Sequence, residues 1–168
     1  AGLTNNHIYS KSADLLDSAA KSLLPSTGLL NLPRAQSEGV SPETIEYVSN
    51  VIENTLAEFG VEIKICNVES GPVITRYELV PPKGVRGDKI SNLAKEIARA
   101  LALPIVRIVD TIPGKNTMGI EVPNFKRQMI YLKEIFDSAA YQNSGSLLTL
   151  ALGKDIAGDV IVTDLAKM

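Results

Sequence analysis

The chain has 168 residues and a net charge of −2 at pH 7, so it lacks the cationic surplus of a stand-alone nucleic-acid binder. Its length suits one compact domain with a flanking segment, and the absence of a long apolar run predicts a soluble, cytosolic chain. One cysteine and one histidine exclude an internal disulfide and predict no metal-ligand cluster.

The amino-terminal part predicts a linker followed by a well-delimited helix. Residues 1–40 are rich in Asn, Ser and Pro, with one short amphipathic stripe near Leu15 that favours a short helix. The first firm helix begins at Ser41, where a capping hydroxyl, a proline and a glutamate follow one another. Apolar residues at helical spacing continue to Gly60, which predicts a helix of about five turns.

A hairpin and a second helix follow. Apolar residues alternate with polar ones from Val61 to Ile65, and again from Val73 to Leu79, which predicts two paired strands. Cys66 is expected to be a small buried residue of the first strand. An apolar stripe over residues 88–101 predicts the second helix, which Pro104 ends.

The remaining elements are a second hairpin, a third helix and two further strands. The segment IVRIVDTI at 105–112, the turn PGKN and the segment MGIEV at 118–122 predict the hairpin. Residues 126–140 predict the third helix, and the segments LLTLALG and DVIVTDL predict the last strands.

This order of elements predicts an α+β fold with helices packed on a mostly antiparallel sheet. The order is helix–hairpin–helix–hairpin–helix, followed by two further strands. We expect a linker with a possible short helix at residues 1–40 and the main domain from residue 41 onward.

Nucleotide-binding loops are absent from the sequence. A P-loop needs G-x-x-x-x-G-K-[ST], whereas Gly114-Lys115 is followed by Asn116 and Gly153-Lys154 by Asp155. No G-x-G-x-x-G occurs either. The sequence therefore predicts no catalytic, cofactor-binding or metal-binding residue in this chain.

Several long strings nevertheless resemble the FtsK/SpoIIIE family of DNA translocases. They resemble the α domain of the motor and the start of its RecA-like β domain, up to a point before the Walker A loop. The resemblance implies that the α domain spans residues 41–146 and that residues 147–168 are the opening strands of the RecA-like domain. The strings are GPVITRYEL, KISNLAKEIARAL, RIVDTIPGK, GIEVPN and LGKDIAGDVIVTDLAKM.

This resemblance implies a homo-hexameric ring through which double-stranded DNA passes during chromosome segregation at cell division. It also implies ATP and Mg²⁺ as cofactors of the whole translocase, and an anchor in the bacterial inner membrane that holds the motor in the cytoplasm. For this chain it implies a non-catalytic ring or channel domain without membrane contact.

Charge and position in loops or on helix faces select the candidate DNA contacts. They are Lys83, Arg86, Lys89, Lys95, Arg99, Lys126 and Arg127. Arg107 lies in an apolar strand, so we expect it to face the open side of the sheet or to pair with a carboxylate such as Asp110 or Glu121. A subunit-interface role for Arg107 is the alternative.

A second class of function stays open on sequence grounds. An α+β domain of this size also suits a regulatory module that binds a small ligand. Base stacking is disfavoured because only 5% of the residues are aromatic and tryptophan is absent.

Overall fold

The computed structural model describes residues 25–34 and 39–168. The chain divides into two compact units, Ala1–Leu32 and Pro33–Met168. Within the first unit, the described part contains a 3-10 turn, Thr27–Leu29, where the Gly28 amide donates to the Ser26 hydroxyl at 3.1 Å. The short helix predicted near Leu15 lies outside the described residues.

The second unit opens with the longest described helix, α1, Pro42–Glu58. The Ser41 hydroxyl accepts the Thr44 amide at 3.3 Å and caps the free amides of the first turn. Gly60 follows the helix with φ +71°, a conformation that a side chain would strain. The start and end signals read from the sequence are confirmed.

A four-stranded sheet forms the centre of this unit, with the order β1-β2-β4-β3 and only antiparallel pairings. Its strands are β1 (Ile65–Ser70), β2 (Ile74–Leu79), β3 (Arg107–Val109) and β4 (Met118–Pro123). The α+β fold class and the antiparallel sheet are confirmed.

The core lies between one face of this sheet and the helices. Tyr77 and Ile120 pair across β2 and β4 and are buried together with Ile52 and Leu56 of α1. Burial raises the pKa of Tyr77 to about 12. The opposite face of the sheet carries the charged side chains described below.

The second predicted helix is two short helices, α2 (Gly87–Ser91) and α3 (Ala94–Ala100). The Ser91 hydroxyl lies within hydrogen-bond distance of two acceptors, the carbonyl of Gly87 and the carboxylate of Asp110, at the point where the helix is interrupted. The apolar stripe still faces inward, because Ile90 and Ile97 are completely buried. The prediction of one continuous helix over 88–101 was wrong.

Two strand boundaries also differ from the prediction. Pairing in β1 begins at Ile65, although Val61 and Ile63 are buried as their alternation predicts. The register shifts between Ile65 and Asn67, and Cys66 is exposed rather than buried. The strand predicted over 105–112 contributes only three residues to the sheet.

The third predicted helix, over 126–140, was wrong in its first half. The structure has α4 (Leu132–Phe136) and α5 (Ala139–Gln142) instead. The Gln128 amide donates to the Pro72 carbonyl at 2.8 Å, so this amide bonds to the β1–β2 turn and not to a helical carbonyl. The Glu134 carboxylate accepts the Tyr131 amide at 2.8 Å, which places the helix start there.

The last two strands were predicted correctly and form a separate antiparallel hairpin. They are β5 (Thr149–Lys154) and β6 (Val160–Asp164), and a second 3-10 turn, Leu165–Lys167, follows them. The hairpin contacts α4 and α5. In the described part of the chain, no helix is long and apolar enough to cross a membrane.

Candidate nucleic-acid interface

The predicted DNA-contact residues are all exposed, but they do not form one cluster. Lys83 and Arg86 lie in the loop after β2 and Lys89 lies on α2, and we call these three the loop cluster. We call Lys126 with Arg127 the turn pair. Lys95 and Arg99 lie on α3.

The loop cluster lies at the end of the sheet where β2 stops and β4 begins. Leu79 pairs with Met118, and a Cβ atom placed on Gly87 would lie 3.6 Å from the Met118 methyl carbon. Lys89 reaches back to the end of α1, where its Nζ donates to the Gly60 carbonyl at 3.4 Å. The loop and the C-terminal end of α1 therefore share one edge of the domain.

The turn pair follows β4 at the other end of the sheet. The Gln128 amide binds the Pro72 carbonyl, and the Asn124 amide binds the Val73 carbonyl at 2.9 Å. The register of β2 separates this end from the loop cluster by five residues, roughly 17 Å of extended strand. A ligand that contacts both groups must therefore be long.

Two of the candidate DNA-contact residues already form ion pairs with neighbouring carboxylates. Arg86 pairs with Asp88 at 2.9 Å and Arg99 pairs with Glu96. Lys83, Lys95, Lys126 and Arg127 make no ion pair with another residue in 25–34 or 39–168. These four are the cations most available to phosphate.

The face of the sheet opposite the helices carries a set of ion pairs. Glu121 is 6% exposed and lies between Arg76, at 3.0 Å, and Arg107, at 3.4 Å. Arg76 also approaches Glu69 at 3.6 Å. The expectation that Arg107 pairs with a neighbouring carboxylate is confirmed, while its interface role stays a prediction.

A further ion pair on this face joins β2 to the loop between β3 and β4. The Lys115 amino group donates to both oxygens of the Glu78 carboxylate, at 2.7 and 3.0 Å, and Glu78 is 2% exposed. We call the pairs formed by these six residues the open-face network, and its three cations balance its three carboxylates. The members are Glu69, Arg76, Glu78, Arg107, Lys115 and Glu121.

Sequence reasoning missed most of this network. Arg76 and Glu78 stood out only as the polar positions of an alternating strand, and Lys115 only as part of a failed P-loop. The signal is present, since Arg76, Glu78 and Glu121 all fall on the polar side of alternating strands. Using it requires the β2–β4 register, which places Arg76 directly opposite Glu121.

The two Gly-Lys pairs do not suit nucleotide phosphates. Lys115 is held by Glu78, and Lys154 donates to Glu134 at 2.6 Å. Both lysines are therefore engaged by carboxylates. Among the described residues, no group of three or more His, Cys, Asp or Glu side chains is arranged to hold a metal ion.

Comparison with known proteins identifies the family. The FtsK alpha domain profile matches residues 24–124, which is more than half of the chain. The chain belongs to the FtsK family. The match includes all four strands of the central sheet and the helices α1, α2 and α3.

Relatives in the FtsK family are similar over most of the chain. DNA translocase FtsK 2 of Ralstonia nicotianae is 54% identical over 145 residues, 86% of this chain and 19% of the relative. DNA translocase FtsK 1 of Neisseria meningitidis is 50% identical over 144 residues, 86% of this chain and 18% of the relative. DNA translocase FtsK of Pseudomonas aeruginosa is 48% identical over 153 residues, 91% of this chain and 19% of the relative.

The chain spans about a fifth of the length of these FtsK relatives. The chain therefore corresponds to one part of each of these relatives.

Proposed function

We propose that this chain is a non-catalytic ring and channel domain of a hexameric, ATP-driven translocase of double-stranded DNA. The translocase acts in chromosome segregation at cell division, with its motor in the cytoplasm and an anchor in the inner membrane. The observation that carries the proposal is membership of the FtsK alpha domain family, together with relatives named DNA translocases.

The charge distribution supports a channel wall built from several copies. The chain has a net charge of −2, and its exposed cations lie at separate places on the domain. A single copy therefore offers few phosphate contacts. Six copies around one duplex multiply those contacts, because each later contact forms at high effective concentration.

ATP hydrolysis belongs to other parts of the translocase in this proposal. The sequence lacks a P-loop, and both lysines of its Gly-Lys pairs bind carboxylates. We expect the purified chain to hydrolyse no ATP, with or without double-stranded DNA. A phosphate-release assay checks this, and turnover that survives repeated purification would contradict it.

The hairpin β5–β6 supports the proposal that a RecA-like domain begins here. One face of this hairpin packs toward α4 and α5, while Leu150, Leu152 and Ile161 on the other are at least 40% exposed. A two-stranded sheet is marginal alone, and an exposed apolar face favours further packing. The whole translocase would supply that packing from the rest of the RecA-like domain.

The salt dependence of duplex binding tests the candidate DNA-binding residues. In the assembled translocase we expect Lys126→Gln with Arg127→Gln to reduce the slope of log affinity against log salt, by about 0.9 for each phosphate that is no longer neutralised. Lys83→Gln should act in the same direction. Arg99→Gln is the matched control, because Glu96 already binds its guanidinium.

The slopes also give the result that contradicts the assignment of these residues. If the Lys83, Lys126 and Arg127 variants keep the slope of the unmodified protein, these residues do not contact phosphate. If Arg99→Gln reduces the slope as much as they do, exposure and pairing do not distinguish phosphate-binding residues from other surface cations.

Among the described residues, the clefts give less support to the small-ligand module. A cleft of about 220 Å³ in the second unit is lined by residues such as Ser70, Gly71 and Gln128. This volume is smaller than the roughly 300–1,000 Å³ of typical small-molecule sites, which are also lined mainly by apolar side chains.

A further inference from the structure

The turn between β1 and β2 is fixed by the segment that follows β4. Three successive carbonyls of the turn, those of Gly71, Pro72 and Val73, accept hydrogen bonds from Asn124 and Gln128. The Asn124 side chain also accepts the Thr75 hydroxyl at 2.8 Å. The turn is therefore a rigid part of the four-stranded domain.

The β5–β6 turn docks directly on this fixed turn. A Cβ atom on Gly71 would lie 1.7 Å from the carbonyl oxygen of Ile156, a distance that no side chain tolerates. Gly71 is buried, and its φ is not in the left-handed region. The requirement for glycine at this position therefore comes from the close approach of the two backbones.

The docking turn is also rigid within itself. One oxygen of the Asp155 carboxylate accepts the amides of Ala157 and Asp159, each at 2.9 Å. Gly158 adopts φ +97°, and the position of a side chain there is 3.7 Å from Pro72. Two preformed turns thus meet, and little conformational freedom remains between them.

An ion pair on another element supports the same arrangement. Lys154, at the end of β5, donates to Glu134 of α4 at 2.6 Å, and both side chains are less than a fifth exposed. Glu134 also accepts the Tyr131 amide. Burial raises the pKa of Glu134, but the hydrogen bonds from Lys154 and Tyr131 lower it below its ordinary value.

We propose that these two contacts form a rigid joint that makes the β5–β6 hairpin move as one body with the four-stranded domain. We call it the turn joint: the Gly71–Ile156 backbone contact and the Glu134–Lys154 ion pair. In the translocase, an extension that rests on the proposed function, a displacement of the RecA-like domain is then transmitted to the α domain through this joint. Residues 143–148 form the covalent connection between α5 and the hairpin.

Hydrogen–deuterium exchange on the purified chain tests the joint without DNA or ATP. In Gly71→Ala we expect the β5–β6 amides to exchange about tenfold faster, while α1 and β4 keep their rates within about twofold. Glu134→Gln keeps an acceptor for the Tyr131 amide but loses the ion pair, so we expect about threefold faster exchange in the hairpin. Exchange is followed by mass spectrometry of peptides.

Gly145→Ala is the matched control, since Gly145 lies in the connection and a Cβ there meets no atom within 4 Å. It should leave hairpin exchange unchanged. Two results would overturn the joint. In the first, the exchange rates of the hairpin amides stay constant in both joint variants. In the second, the amides of α1 and of the hairpin exchange faster by the same factor in both variants. A failure to bind DNA would concern the proposed function alone and would leave this test intact.

Discussion

The Glu78–Lys115 pair gives a sharp test of how the open face of the sheet is stabilised. Lys115→Met keeps most of the side-chain length but removes the cation. The Glu78 carboxylate, with 3% of its side chain exposed, then has no positive partner, whereas in the native protein the lysine contacts both of its oxygens.

The burial of Glu78 determines the size of the expected loss in stability. Removing one partner of a buried ion pair typically costs about 3–5 kcal/mol, because an uncompensated charge stays inside the protein. Lys115 is 47% exposed, so water already screens part of the interaction. We therefore expect a loss of about 3 kcal/mol, or roughly 6–12 °C in Tm for a domain of this size.

Urea denaturation at neutral pH measures this loss of stability. Two further variants test whether the loss comes from the unpaired buried carboxylate. Lys115→Met combined with Glu78→Gln should recover stability to within about 1 kcal/mol of the native protein, because no buried charge is left alone. Lys64→Met is the surface control: Lys64 pairs with Glu53 but is 87% exposed, so we expect less than about 1 kcal/mol. If Lys115→Met costs no more than Lys64→Met, the buried-pair reasoning is refuted.

Three other predictions concern the core, a helix start and the acid response. Leu56→Ala should cost about 3 kcal/mol in urea denaturation, since Leu56 is completely buried; a loss below about 1 kcal/mol would contradict its place in the core. Ser41→Ala should cost about 1 kcal/mol because α1 then has no cap, whereas Ser41→Asp should retain the native urea midpoint; equal losses in both would argue against capping. Burial raises the pKa of Glu53, but hydrogen bonds from Lys64 and the Ile65 amide lower it below 4.5 overall. The stabilisation that the ionised Glu53 carboxylate provides is therefore complete above pH 4.5 and is lost as pH falls through the pKa of Glu53 in the folded protein. The urea midpoints of Glu53→Gln and of the native chain should therefore converge in acid. A difference between the two midpoints that stays constant with pH would contradict this.

Local signals in the sequence explain the successes. Ser41, Pro42 and Gly60 define α1 through interactions within a few residues of each helix end, which are visible in the sequence. The alternating strands β2 and β4 were equally predictable, because their apolar side chains alternate with other residues and face the core.

Long-range bonds explain the failures. Residues 126–131 have helical periodicity, yet the Gln128 amide is bound by Pro72, 56 positions earlier in the chain. The exposure of Cys66 coincides with a register shift in β1, and the break between α2 and α3 with a bond from Ser91 to Asp110. None of these partners can be inferred before the fold is known.

The candidate site was predictable only in part. Charge and exposure could be predicted for Lys83 and Lys126, since loop lysines are almost always exposed. Their separation by the length of β2 could not, nor could the choice of Glu121 over Asp110 as the carboxylate that pairs with Arg107. Both depend on the register of the sheet, which the sequence does not state.

The mass of the chain in solution, measured by light scattering with and without double-stranded DNA at low salt, tests the central proposal most directly. We predict that the chain binds the duplex and that the mass of the complex is that of six chains plus the DNA. A monomer that leaves the duplex unbound at high protein concentration would contradict a ring and channel domain.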